Sequence, residues 1–438
     1  MSKQLKSVDF TNFSVVDAVN ALASGELSSS DLVTACLKKI TTDDRRVNAF
    51  VHVASDCALV QAQESDNRRK TGKSLSSVDG IPIALKDNID VKGQPTTNGL
   101  GTKWIPETDA KVVAELRARG MVFIGKTNMH EAALGATTNN PHYGKTNNPK
   151  MFGYTAGGSS GGSGAAVGAF FCPAALGTDT MGSVRVPAAY CGTVGFKPTR
   201  NYWSTVGVTP LSTTLDTVGP LARAVADVAV LMELPISHVD SGEIKLSTLT
   251  NFENAPMEKA VSDAYTIAKK LLSMAGIGII STHLKNYEPT PARRTALLVC
   301  EVEGFSVLER LLSTTPYAFS DELTNMLNFG SKVLASKYLM ALQKLDVVRR
   351  EFLELLEKHK FIVSPTTPQT AFSFGNNVPV DQADFTALAN FVGCPAISIP
   401  IGVSQSSMPV GLQVIAAPGQ DKELLSVAVV IQNILYQN

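Results

Sequence analysis

The sequence predicts an α/β fold: a single large domain in which a mixed, twisted β-sheet is sandwiched between helical layers. Three observations predict it. Helical segments alternate along the chain with short apolar, β-branched runs, the pattern of helices covering a largely buried sheet. The 438 residues are 44% hydrophobic and 18% charged, enough for a sizeable core and without the signature of disorder. No internal repeat or long Gly/Pro/Ser linker divides the chain, so residues 1–438 are expected as one domain. The polar stretch Ser237–Ala255 is the expected place for a subdomain seam or insertion.

The elements follow in order. SSSDLVTACLKKI offers serine caps ahead of a helical period, and VNAFVHV reads as the strand after it. A charged helix covers Ala54–Lys70, then come the strand IPIALKD, the amphipathic helix DAKVVAELRARG and the strand MVFIG. Further on, AVADVAVLMEL, MEKAVSDAYTIAKKLLSMAG and the span Asp321–Lys358 are helical. FIVSP, AISIPIG and PVGLQVIAA read as buried strands before a last helix, DKELLSVAVVIQNIL.

Bulk charge narrows the function classes. Lys+Arg and Asp+Glu both number 39, so nothing in the charge balance points to nucleic acid, which needs a basic surface, although the balance leaves room for a local basic patch. Six cysteines without CxxC spacing, mostly in apolar contexts, read as reduced core thiols. MSKQLKSVDF has no apolar core of a secretory signal, and the apolar stretch around AAVGAFFCPAAL is too short to span a bilayer. A cytoplasmic protein is expected.

Two motifs mislead. Gly120–Thr127 (GMVFIGKT) satisfies the P-loop pattern, but its four middle residues are those of a β-strand, whose amides belong to a ladder rather than to phosphate. Gly157–Gly161 (GGSSG) matches the nucleophile elbow of α/β-hydrolases, yet turn formers rather than a strand precede it. His238, His283 and His359 lie downstream without any surrounding motif, and His359 reads as a surface residue.

The chemistry sits in two Gly–Ser clusters. Gly157–Gly164 holds five glycines and three serines, and Gly177–Pro187 (GTDTMGSVRVP) places Ser183 24 residues after Ser159. Upstream, Lys86 closes the apolar strand IPIALK. A serine hydroxyl is a weak nucleophile until a base takes its proton. With no histidine in the motifs, a neutral lysine is the base at hand. Lysine starts near pKa ~10.4, and burial is the force that brings it near ~7. Together these residues have the chemistry of amide hydrolysis, with Ser183 as nucleophile.

GIPIALKDNID, GGSSGGSGAAV with GTDTMGSVRVPAAYCGTVGFKPT, NFVGCPAISIPIG and MPVGLQVIAAP resemble the amidase signature family, across roughly Val15 to Leu435. The resemblance implies a serine–serine–lysine triad, here Lys86, Ser159 and Ser183, with a cis peptide before Ser159 and Ser159 relaying the proton. It implies an oxyanion hole from the backbone N–H groups of Thr180, Met181, Gly182 and Ser183. Asp179 and Arg185 would fix the turn, with Ser160 and Thr155 as supporting hydroxyls or else solvated loop residues. Ala133 and Leu134 are implied as pocket residues. Met181 stands where the family usually has glycine, so its φ should be ordinary and its side chain should lie toward the acyl pocket or the core. No metal or cofactor is implied. The expected activity is hydrolysis of a small carboxamide or ureido-type amide through an acyl-enzyme. One alternative is the ammonia-producing component (the A chain) of a glutamine-dependent transfer-RNA amidotransferase, which would need a partner; a second is an inactive binding scaffold. The expected partner is a small-molecule amide, with no nucleic acid, no membrane, and room for a homo-oligomer.

Overall fold

The computed structural model describes residues 10–403 and 408–436. Its apolar runs form the strands β1 (Phe50–Val53), β2 (Pro82–Lys86), β3 (Val122–Thr127), β6 (Ala174–Asp179), β7 (Val194–Lys197) and β8 (Thr217–Ala222), with a small ribbon of β4 (Asn139–Asn140) and β5 (Gly144–Lys145). The C-terminal half adds β9 (Lys245–Leu249), β10 (Gly278–Thr282), β11 (Phe361–Pro365), β12 (Ala396–Val403) and β13 (Pro409–Ala416). All but the ribbon join one 11-stranded sheet, in the order β1-β3-β2-β6-β8-β7-β12-β13-β11-β9-β10. Its β2 runs parallel to both β3 and β6, while β6 pairs antiparallel with β8. The sheet is therefore mixed, within one large α/β domain. The polar stretch Ser237–Ala255 supplies β9, which lies inside the sheet between β11 and β10.

Side-chain alternation explains how the site is addressed. Ile83 and Leu85 of β2 pack into one apolar layer. Ala84 packs into another, with Ala165, Ala166 and Val167 of the helix Gly161–Gly168. The period of two puts Lys86 on the Ala84 face, at the carboxyl end of its strand. Asp179 is likewise the last residue of β6. Carboxyl ends of parallel strands are where open α/β sheets present their sites.

Most expected helices are present. Ser28 caps Ser29–Val47 by accepting from the Asp31 amide, and Ser55–Lys70, Lys111–Ala118, Lys259–Met274 and Asp421–Tyr436 match the periodic segments. The span Asp321–Lys358 is two helices, Asp321–Ser331 and Ala335–Lys358. They part just after Gly330, where an added Cβ would meet the Glu301 carbonyl oxygen at 2.1 Å, so close packing turns the chain there. The 26-residue helix Pro289–Thr314 has no counterpart in the sequence reading. Its buried face carries Arg293, Glu303 and Gly304, while Leu297, Leu298, Phe305, Leu311 and Leu312 are only partly buried, so its apolar residues do not mark one stripe. The P-loop look-alike is strand β3, wholly buried, and its Lys126 lies 3.4 Å from Asp87. Five of the six cysteines are buried, all six are free thiols, and Cys57 is exposed. Among the described residues no helix is long and apolar enough to cross a membrane.

Candidate active site

Lys86 leaves β2 into an enclosed space with few charges. Its Nζ lies 2.7 Å from Ser159 Oγ and 2.7 Å from Thr178 Oγ1, and the residue is fully buried. Among the described residues no carboxylate forms an ion pair with it, unlike Lys126. Burial pushes its pKa down from 10.5 to about 7, against the weaker pull of the Asp216 and Asp179 charges. A lysine in that state is available as a base near neutrality.

Ser159 follows a cis peptide bond after Gly158 and precedes the helix Gly161–Gly168. That helix can approach because it is made of small residues: a Cβ on Gly162 would come within 2.4 Å of the Asn128 carbonyl oxygen. The glycine cluster is thus a packing device, and Ser159 Oγ is the hydroxyl it presents to Lys86. Ser160 turns the other way, its hydroxyl 3.1 Å from the Thr178 carbonyl and its amide 3.2 Å from the Ser183 carbonyl. Thr155 donates to the Thr137 carbonyl at 2.7 Å and accepts from the Gly157 amide at 2.9 Å. Both residues are fully buried, so neither is a solvated loop residue.

Ser183 sits at the mouth of a cavity of about 180 Å³, bordered also by Ala133, Leu134, Thr180, Met181 and Gly182. Its hydroxyl has no hydrogen-bond partner among the described residues, and no hydrogen bond joins it to Ser159. Met181 lies outside the left-handed region, borders the cavity and also packs against the neighbouring core.

The turn that carries Ser183 is held by a buried ion pair. Arg185 Nη2 and Nε meet Asp179 Oδ1 and Oδ2 at 2.9 and 3.0 Å, and Nη1 reaches the Thr386 carbonyl and Gln413. Asn390 donates to Asp179 from the far side. Although burial opposes it, Arg185 foremost holds the Asp179 carboxyl down at about 2. Asp179 Oδ1 also accepts the Gly182 amide at 2.7 Å. That corrects one expectation: the Gly182 N–H is occupied, which leaves the amides of Thr180, Met181 and Ser183 without a hydrogen bond among the described residues. Gly182 itself has φ +132°, and a Cβ there would lie 2.2 Å from Thr386 Oγ1.

Three neighbours escaped the sequence reading. Thr178 is the second partner of Lys86, a hydroxyl inside the cluster GTDTMGSVRVP that nothing in the sequence sets apart from its neighbours. Asp216 accepts from Thr180 Oγ1 at 2.6 Å, and burial raises its pKa to about 6. Arg293 reaches the cavity from the helix Pro289–Thr314. Nothing local in the sequence ties Asp216 or Arg293 to Ser183. His238, His283 and His359 contact Asp240, Thr250 and Ser247, away from this cluster.

A family model described as Amidase matches residues 31–425. The A component of the glutamyl-tRNA(Gln) amidotransferase of Salinispora tropica is 34% identical over 483 aligned positions, 98% of each chain. Because the 438-residue chain is shorter than that alignment, at least 45 residues of the relative have no counterpart here. A solved structure described as an amidase superposes with a TM-score of 0.91 at 28% identity, covering 96% of this chain and 99% of its own. The A component of the Thermotoga maritima glutamyl-tRNA(Gln) amidotransferase superposes at 0.80 with 28% identity, covering 96% and 94%.

Proposed function

We propose, from the premise that the chain belongs to the amidase family, that it cleaves a small carboxamide or ureido-type amide through an acyl-enzyme on Ser183. The observation that carries this reading is the buried Lys86, held between two hydroxyls without a carboxylate and pushed down to about 7. With the amine neutral, the 2.7 Å contact lets Ser159 Oγ donate its proton to Lys86 Nζ while Ser159 takes the proton of Ser183. Ser183 Oγ attacks the carbonyl carbon, and the free amides of Thr180, Met181 and Ser183 face the developing oxyanion. The C–N bond breaks as the proton returns to nitrogen, ammonia leaves, and water then hydrolyses the ester by the same relay.

Ammonia release over a panel of aliphatic, aromatic and ureido amides tests the activity. Mass spectrometry of the acylated protein tests the site, with the adduct expected on Ser183 and Ser183→Ala expected to lose several orders of magnitude in kcat/KM. An adduct on Ser159 or Ser160 would overturn the assignment.

The names of the curated relatives favour a second reading, in which the same half-reaction works on glutamine and the ammonia passes to a partner. Glutaminase activity that appears only with copurifying partner proteins would establish it. The higher superposition on the structure described as an amidase, 0.91 against 0.80, supports the stand-alone hydrolase.

A further inference from the structure

Two buried arginines border this region, and they are used differently. Arg185 spends all three guanidinium nitrogens on Asp179, Thr386, Asn390 and Gln413. Arg293 is also buried, at 6% exposed against 0% for Arg185, but only its Nε is engaged, 2.6 Å from Asp384 Oδ1. The other oxygen of Asp384 takes the Thr290 hydroxyl, so that carboxylate is fully occupied. The two terminal nitrogens of Arg293 have no hydrogen-bond partner among the described residues but are not sealed from solvent, and the side chain borders the Ser183 cavity. A buried guanidinium with an idle planar edge is matched to a carboxylate, which takes two parallel N–H bonds.

The rest of the wall supports an anion without a cation. Leu134, Met181, Leu211, Leu297 and Met326 are apolar, and no Asp or Glu borders the cavity among the described residues. Gln382 and Thr180 are its other polar side chains, and no carboxylate there would pair with an ammonium group. A volume of about 180 Å³ corresponds to about six waters, enough for a short acyl chain.

Resting on the acyl-enzyme reading above, we propose that the substrates are monoamides of short dicarboxylic acids, with the amide carbonyl at Ser183 and the far carboxylate on Arg293. Arg293 then sets specificity and takes no part in proton transfer.

The test compares matched pairs on the full chain: malonamate with acetoacetamide, succinamate with 4-oxopentanamide, and glutaramate with 5-oxohexanamide, each neutral partner replacing the carboxylate by a methyl ketone. A hydrogen-bonded charge left without its partner predicts a preference for the carboxylate of about a hundredfold in kcat/KM in at least one pair. Arg293→Gln combined with Asp384→Asn removes both charges together, so neither is stranded in the interior, and should bring that ratio to about one. Arg293→Lys should keep part of it. A merely structural role for Arg293 would lower both members of a pair alike. Glutamine, with its α-ammonium, should be a poorer substrate than glutaramate. Equal rates within every pair, an unchanged ratio in the double variant, or glutamine preferred over glutaramate would each overturn the proposal. Labelling of Ser183 by a neutral acylating probe keeps the two readings apart. A protein that is labelled yet shows no carboxylate preference loses the anion site alone, whereas one that is neither labelled nor active on any pair loses both.

Discussion

Lys86 Nζ is closed off from solvent and has hydroxyls rather than carboxylates for neighbours, so burial sets its protonation. If the neutral amine is the base, kcat/KM should rise with pH through an apparent pKa near 7. Thr178 sharpens this. Its hydroxyl accepts from Lys86 at 2.7 Å, and a hydrogen bond to a charged donor is worth about 1.5–3 kcal/mol. Thr178→Val withdraws that support chiefly from the ammonium form, so the rising limb should move to lower pH by about one unit or more. A pH–rate profile of the two proteins decides it, and an unmoved limb would remove Thr178 from the account. Met181 carries the second residue-scale prediction. Its side chain borders the cavity where the family usually has glycine, so Met181→Gly should free volume beside Ser183. Selectivity for a bulky amide over a short one should rise by about ten- to two-hundredfold, the value of a few methylenes in a pocket. An unchanged ratio of kcat/KM would mean that the side chain serves only the core it also touches.

The turn from β6 into the helix Arg185–Cys191 is the element that sets Ser183 in place, and charge holds it rather than apolar packing. Asp179 ties down the Gly182 and Val184 amides on either side of Ser183, and Arg185 neutralises it. Arg185→Met would leave the Asp179 charge buried without its main partner, at a cost of about 3–5 kcal/mol. Chemical denaturation should show that loss, and kcat should fall even where the protein remains folded, because the free amides lose their aim. Unaltered kcat in the folded variant would show that the turn holds without the ion pair. The same pair has a pH signature. The Asp179 pKa is depressed from 3.8 to about 2, so its contribution is present above pH ~4 and is lost as pH falls toward 2. This element was half legible in the sequence. GTDTMGSVR shows a tight turn with Asp179 and Arg185 flanking it. Asn390, Gln413 and Thr386, which complete the network, come from about 200 residues further along, and only the sheet brings them there.

At the scale of the molecule, a buried lysine is a cost to folding that its chemistry retains. The unfolded chain protonates Lys86 below about pH 10.5 and the folded chain only below about 7. Between those values the unfolded state binds the extra proton, so stability rises with pH. Below pH 7 the penalty is complete, on the order of 5 kcal/mol at 1.36 kcal/mol per unit. Lys86→Met removes the charge and keeps the length, so it should abolish activity while raising stability by a few kcal/mol at pH 6. The gain should shrink as pH rises toward 10. Melting temperatures of the two proteins across that range test it, and a variant less stable at pH 6 would contradict the assignment of burial as the governing force.

What the sequence determined by itself was everything with a short-range cause. Periodicity placed the strands VNAFVHV, IPIALK, MVFIG, FIVSP, AISIPIG and PVGLQVIAA but not β6–β10, serine capping placed the start of Ser29–Val47, and the resemblance of its motifs to a known family singled out Lys86, Ser159 and Ser183. The same local logic read GMVFIGKT as a strand rather than a phosphate loop, and β3 agrees. What only the tertiary structure decided was which distant groups meet. The helix Pro289–Thr314 hides its identity because its buried face includes Arg293, Glu303 and Gly304 and its apolar side chains are spread beyond that face. Arg293 and Asp216 carry no local motif, Thr178 is one hydroxyl among several in its cluster, and the Gly182 amide turns out to belong to Asp179. Short-range patterns come from backbone geometry that repeats every few residues. The partners of a buried charge are set by how sheet and helices close around it, which depends on all the packing at once.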